Sequence, residues 1–153
     1  MNYKVCSTLD SSPEIGSIGR AIEIGADLFS LQVVPVLVAA PQMRRYQCFG
    51  HLFAGMEEAV FRLDQHPVMS SHPVTPIDES DVAKHVSKQS DRLDFPRVNL
   101  EALASADGGR RSAKPAVEGR IAAVGLDSAD AGSESAVALH RSSAQSSAPL
   151  KRH

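Results

Sequence analysis

The sequence contains no tryptophan and only seven aromatic residues in 153, all at or before Phe95. It has two cysteines, Cys6 and Cys48, too few for a disulfide framework. A reduced, cytoplasmic chain is therefore expected. No excess of either charge is present, with 16 Lys+Arg against 18 Asp+Glu. That balance gives no electrostatic footing for nucleic acid or an anionic membrane. No apolar run approaches the ~20 residues that a helix needs to cross a bilayer.

The shortage of aromatics divides the chain. From Glu101 to His153, Ala, Ser and Gly make up 27 of 53 residues. Such a stretch has little with which to offset chain entropy. Residues 101–153 are therefore expected to form a low-complexity, disordered tail, and residues 1–100 to carry the core.

Within the first hundred residues the pattern is α/β. Apolar residues around Val5 suggest a short strand. Ser11 or Ser12 then offers a helix cap, with Pro13 in the first turn and Glu14 placed for a capping box. Ile15, Ile18, Ile22 and Phe29 follow at helical spacing. The run Val33–Pro41 is continuously apolar and valine-rich, the pattern of a strand buried on both faces of a parallel sheet. Strand, helix and strand in this order make a partial parallel-sheet βαβ domain. The segments around Tyr46 and Phe61 suggest a hairpin or an excursion beyond the sheet. Closely spaced prolines exclude a helix from His66 to Pro76. Asp78–Gln89 is a further candidate helix, and Phe95–Ala104 offers a weak strand and a helix start.

The densest chemistry lies near the beginning. Lys4, Ser7, Thr8, Asp10, Ser11 and Ser12 fall within nine positions. A base, an acid and several hydroxyls suit a small anionic, polyhydroxylated ligand. Gly16 and Gly19 weaken a helix interior, which suggests a close approach to that backbone. A capped helix with a solvated turn would read the same way. The loop matches neither a P-loop nor a dinucleotide fingerprint. His51, His66 and His72 fit no zinc spacing, and no metal site is expected. No nucleophile elbow supports a Ser-His-Asp triad.

The segments "YKVCSTLDSSPEIGSIGRAIEIG", "PVLVAAP", "RYQCFGHLFA" and "FRLDQHPVMSSHPVTPIDESDVAKHVSKQ" resemble, in order, the N-terminal domain of the four-carbon acid sugar kinases. The resemblance covers about Asn2 to Asn99 and stops after about Leu103. It implies a domain that holds a threonate- or erythronate-type acid, with ATP and Mg²⁺ bound by a second domain. Lys4, Ser7, Thr8, Asp10 and Ser11 fall in the family's substrate loop, and Gly16, Ser17 and Gly19 at its helix start. Three departures stand out. The family's N-terminal strand with paired aspartates has no counterpart. Arg44-Arg45 replaces its Gly-Arg. The ATP domain is missing.

The resemblance therefore implies a fragment that begins inside a domain, with a tail of the kind a frameshift produces. Such a fragment would bind neither ATP nor Mg²⁺ alone. It would act with a separately encoded kinase remainder, or self-associate through an unpaired sheet edge. A non-catalytic acid-sugar module and an inert remnant are the alternatives.

Overall fold

A computed structural model describes residues 3–98, 101 and 119–129. The chain is α/β, with one mostly parallel sheet and one antiparallel sheet. Helix α1 spans Ile18–Phe29 and buries Ile18, Ile22 and Ala26. It leads into strand β1, Val33–Val36. Strands β2 (Arg45–Cys48), β3 (His51–Met56) and β4 (Ala59–Arg62) form an antiparallel meander. This is the excursion expected from the sequence. No helix runs through His66–Pro76. Helix α2, Val82–Ser87, is capped by the Asp81 carboxylate, which accepts from the Lys84 amide. Short strands β5 (Leu93–Asp94) and β6 (Arg97–Val98) follow.

The sheet is completed from an unexpected place. Strand β7, Ile121–Leu126, lies inside the stretch expected to be a structureless tail. It pairs in parallel with β1, Val33 opposite Ala122 and Val36 opposite Gly125, and on its other side with β5 and β6. All six of its residues are buried. Its composition misleads because the small side chains of Ala122, Ala123 and Gly125 suit a central strand crowded by neighbours. The Phe95 ring lies 3.5 Å from where a Cβ on Gly125 would sit. The rest of the expected tail lies outside the described residues, apart from positions 101, 119, 120 and 127–129.

Two further expectations change. Among the described residues the backbone around Val5 pairs with no strand, although the Val5 side chain packs on the core. Strand β1 is half-exposed rather than buried on both faces. Among the described residues it pairs on one side only, and Pro35 suits that place: a residue without an N–H is tolerated at a sheet edge. The main core gathers Leu9, Ile22, Val36, Leu52, Ile77, Val86 and Ala123 between the helices and both sheets.

Candidate functional site

The loop before α1 has two halves with different bonding. The first half turns at Cys6–Leu9, closed by the Leu9 amide donating to the Cys6 carbonyl at 3.3 Å. Leu9 takes φ 53° and is fully buried. A left-handed backbone costs a leucine on the order of 1 kcal/mol, and burial of its side chain in the core holds it there. Around this turn the Cys6 thiol and the Thr8 hydroxyl both reach Asp10 Oδ2, at 3.1 and 3.4 Å. Asp10 Oδ1 is shielded from water and has no hydrogen-bond partner among the described residues. Lys4 is exposed and Ser7 is half-buried.

The second half is tied to α2. Ser11 or Ser12 was expected to cap a helix, and Ser12 does not. Instead its hydroxyl accepts from the Glu14 and Ile15 amides at 3.2 and 3.0 Å, which closes an isolated turn. Gly16, at φ +63°, then ends that turn, and a Cβ there would lie 3.2 Å from the Asp10 carbonyl oxygen. Helix α1 starts afresh, with Ser17 accepting from the Arg20 amide at 3.1 Å. Two residues missed from sequence organise this half. Gln89 bonds Ser11 Oγ at 2.9 Å, the Gly19 amide at 3.1 Å and Ser17 Oγ at 3.4 Å. His85 Nε2 lies 3.0 Å from the Ser11 carbonyl and 3.3 Å from Ser11 Oγ. The charge pattern of Asp78–Gln89 marked both as part of a helix, but nothing in it says which loop that helix meets, and Gln89 lies just past the end of α2.

Burial holds the His85 imidazole below its ordinary pKa, so it is neutral near pH 7; the Ser11 carbonyl bond opposes this in part. That carbonyl can only accept, so Nε2 carries the proton. Beside this clamp a cleft of about 610 Å³ opens, with Ser12 and Glu14 on one wall and Asp64, Asp78 and Lys88 on others. Asp64 is paired with Arg62 at 2.7 Å and Lys88 with Asp78 at 3.1 Å.

The eight residues predicted from sequence thus separate. Thr8 and Asp10 meet around Cys6. Ser11, Ser17 and Gly19 meet at Gln89. Gly16 shapes the turn between them, and neither Lys4 nor Ser7 bonds to either cluster among the described residues.

The loop glycines do not fit a nucleotide-phosphate cradle. The Gly19 amide is engaged by Gln89, and a Cβ there would lie 2.9 Å from Gln89 Cβ, so its missing side chain serves helix packing. The histidines hold separate local structure. His66 Nδ1 accepts from the Val68 and Met69 amides, His72 Nδ1 from the Thr75 amide, and His51 bonds Ser80.

The sequence matches the model of a sugar-binding N-terminal domain over residues 1–149. The chain belongs to that family. The match runs well past Leu103, where the resemblance was expected to stop, and takes in β7. The chain is 52% identical over 107 residues to a 3-oxo-isoapionate kinase of Paraburkholderia graminis, covering 70% of this chain and 23% of the kinase. The fold is similar to that of a Haemophilus influenzae protein of the DUF1537 family, with TM-score 0.73, 24% identity, and coverage of 89% of this chain and 32% of that one. A Salmonella typhimurium LT2 protein is similar at TM-score 0.68 and 22% identity, over 83% of this chain and 29% of that one. The chain thus spans about a quarter to a third of the length of these relatives. A sugar-binding domain accounts for a loop rich in hydroxyls and short of hydrophobic side chains.

Proposed function

We propose that this chain is the acid-sugar-binding part of an ATP-dependent kinase, and that Lys4, Ser7, Thr8 and Asp10 form the ligand-facing half of its loop. The observation that carries this reading is Asp10. Its Oδ2 is held by Cys6 and Thr8, while Oδ1 is buried without a partner among the described residues. An unsatisfied carboxylate oxygen costs about 1–3 kcal/mol or more, and a ligand hydroxyl donated to it would relieve that cost. Lys4, exposed and in no ion pair among the described residues, suits the ligand carboxylate. Ser11, Gly16, Ser17 and Gly19 belong to the scaffold beneath.

The ligand class is a small sugar acid of the threonate or erythronate type. The name of the Paraburkholderia relative adds 3-oxo-isoapionate to the compounds to try. ATP and Mg²⁺ belong to kinase sequence beyond the quarter that this chain spans. Phosphoryl transfer depends on positioning and charge stabilisation; this chain contributes the positioning of the acceptor.

Calorimetric titration with threonate, erythronate and 3-oxo-isoapionate tests the reading. At least one should bind. Lys4→Ala should weaken it by about 1.5–3 kcal/mol, the range for a hydrogen bond to a charged group. Absence of binding by all three, or a Lys4→Ala variant that binds as well as the parent, overturns the assignment. Magnesium-dependent ATP turnover by this chain alone, rising with added acid, would overturn the division of labour.

A further inference from the structure

The bonds around Gln89 can be oriented without ambiguity. The Gly19 amide can only donate, so the atom 3.1 Å from it is Gln89 Oε1. The Ser17 hydroxyl, already accepting from the Arg20 amide, donates to the same oxygen. Gln89 Nε2 therefore faces Ser11 Oγ and donates to it at 2.9 Å. The Ser11 hydroxyl in turn donates to the Leu9 carbonyl at 3.2 Å. The result is one directed chain, from the Gly19 amide through the Gln89 amide and Ser11 to Leu9.

This chain joins the two ends of the loop. Gly19 lies in the first turn of α1, where an amide has no partner within its own helix. Leu9 is the left-handed residue on which the Cys6–Asp10 turn depends. We propose that Gln89 is a positioning residue: its amide sets the distance between α1 and the Leu9 turn, and so presents Asp10 and Thr8 to the ligand. Gln89 need not touch the ligand to do this. The role rests on the proposed function for the link to binding, but not for the clamp itself.

Alternatives to glutamine at this position fail on chemistry. A primary amide supplies an acceptor for Gly19 and a donor for Ser11 from one flat group that does not titrate. A glutamate keeps the acceptor and loses the donor until it is protonated. A methionine fills similar space and loses both.

The test uses the full chain with Gln89→Met and Gln89→Glu. Amide hydrogen exchange is read at Gly19, with Ile22 in the same helix as the control for folding. Affinity is read with threonate. Gln89→Met should speed exchange at Gly19 by about tenfold with Ile22 unchanged, and weaken threonate by roughly three- to tenfold, the scale of one lost hydrogen bond. Gln89→Glu should keep Gly19 protected and lose threonate affinity at pH 7. It should regain that affinity as the pH falls through the new carboxyl's pKa. Unchanged exchange at Gly19 in Gln89→Met overturns the clamp. A parent that binds threonate, with both variants binding equally well at pH 7, overturns the positioning role. A parent that binds none of threonate, erythronate and 3-oxo-isoapionate overturns the function reading and the link to binding, while exchange at Gly19 still decides the clamp; where the parent binds one of the other two acids and not threonate, that acid takes the place of threonate in the comparison.

Discussion

Strands β1 and β7 lie side by side, and their sequences point to the wrong places. Val33–Val36 looks like the middle of a parallel sheet, yet it pairs on only one side among the described residues and is half-exposed. Ile121–Leu126 looks like part of an alanine-rich tail, yet it is central and wholly buried. Hydropathy measures how much a residue gains by leaving water, but position in a sheet also depends on room. Ala122 and Ala123 are fully buried and nearly featureless, and their small size lets neighbouring layers close over β7. Pro35 has no amide hydrogen to give to a second neighbour, which suits an edge.

The sharpest way to break this comparison is a charge in each strand. Ala123→Asp should destabilise the fold by about 4 kcal/mol or more, because an unpaired carboxylate in the core has no route to water. Val33→Asp should cost less, roughly 1–3 kcal/mol, since an edge side chain can turn outward. Urea unfolding of both variants reads the difference. If Ala123→Asp lies within about 0.5 kcal/mol of the parent, as surface changes usually do, β7 is not the centre of the sheet.

A second comparison lies within α1. A Cβ on Gly19 would approach Gln89 Cβ to 2.9 Å and the Val86 carbonyl to 3.2 Å. Gly19→Ala should therefore cost about 1–3 kcal/mol as the two helices are forced apart. Gly25 meets nothing within 4 Å. Gly25→Ala should stabilise by about 0.5–1 kcal/mol, because an unstrained helix gains from alanine. Thermal melts of the two variants should move in opposite directions.

The smallest effect concerns acid. His85 has a folded-state pKa lowered by burial, so the unfolded chain binds its proton more readily. Its contribution to stability is complete above the ordinary imidazole value of about 6.5. It is lost as the pH falls through the folded value. Glu23 is held below the usual carboxylate range by the Ser90 hydroxyl, then by Arg20, against the opposing effect of burial. Its contribution is lost at lower pH, below the ordinary glutamate value of about 4.3. Burial also holds the His66 imidazole below its ordinary value, so stability measured against pH should show an upper loss in the parent that shrinks in His85→Gln, with the lower loss kept in both. An upper loss of unchanged size in His85→Gln would mean that His85 does not contribute to it.

Sequence alone determined a good deal of this protein. The apolar spacing of Ile15, Ile18, Ile22 and Phe29, the acids that open Asp78–Gln89 and the closely spaced prolines between His66 and Pro76 act over a few residues, so two helices and the break between them were legible, though both begin later than the sequence suggests, at Ile18 and Val82. So was the loop from Lys4 to Ser12, because a run of hydroxyls beside an acid and a base is a local fact of composition. Long motifs in order carried the family as well. Other features had to wait for the tertiary structure. Ser12 and Ser17 are both good caps, and only the left-handed Gly16 assigns the turn to one and the helix to the other. Gln89 and Ser11 are 78 residues apart, and their bond exists because α2 packs on the loop. Strand β7 joins β1 across more than 80 residues, through side chains too small to announce burial. Local signals follow from each residue's own preferences. The pairing of distant segments follows from which surfaces can close together without a void, a clash or an unpaired polar group, and that is settled only when the whole chain is folded.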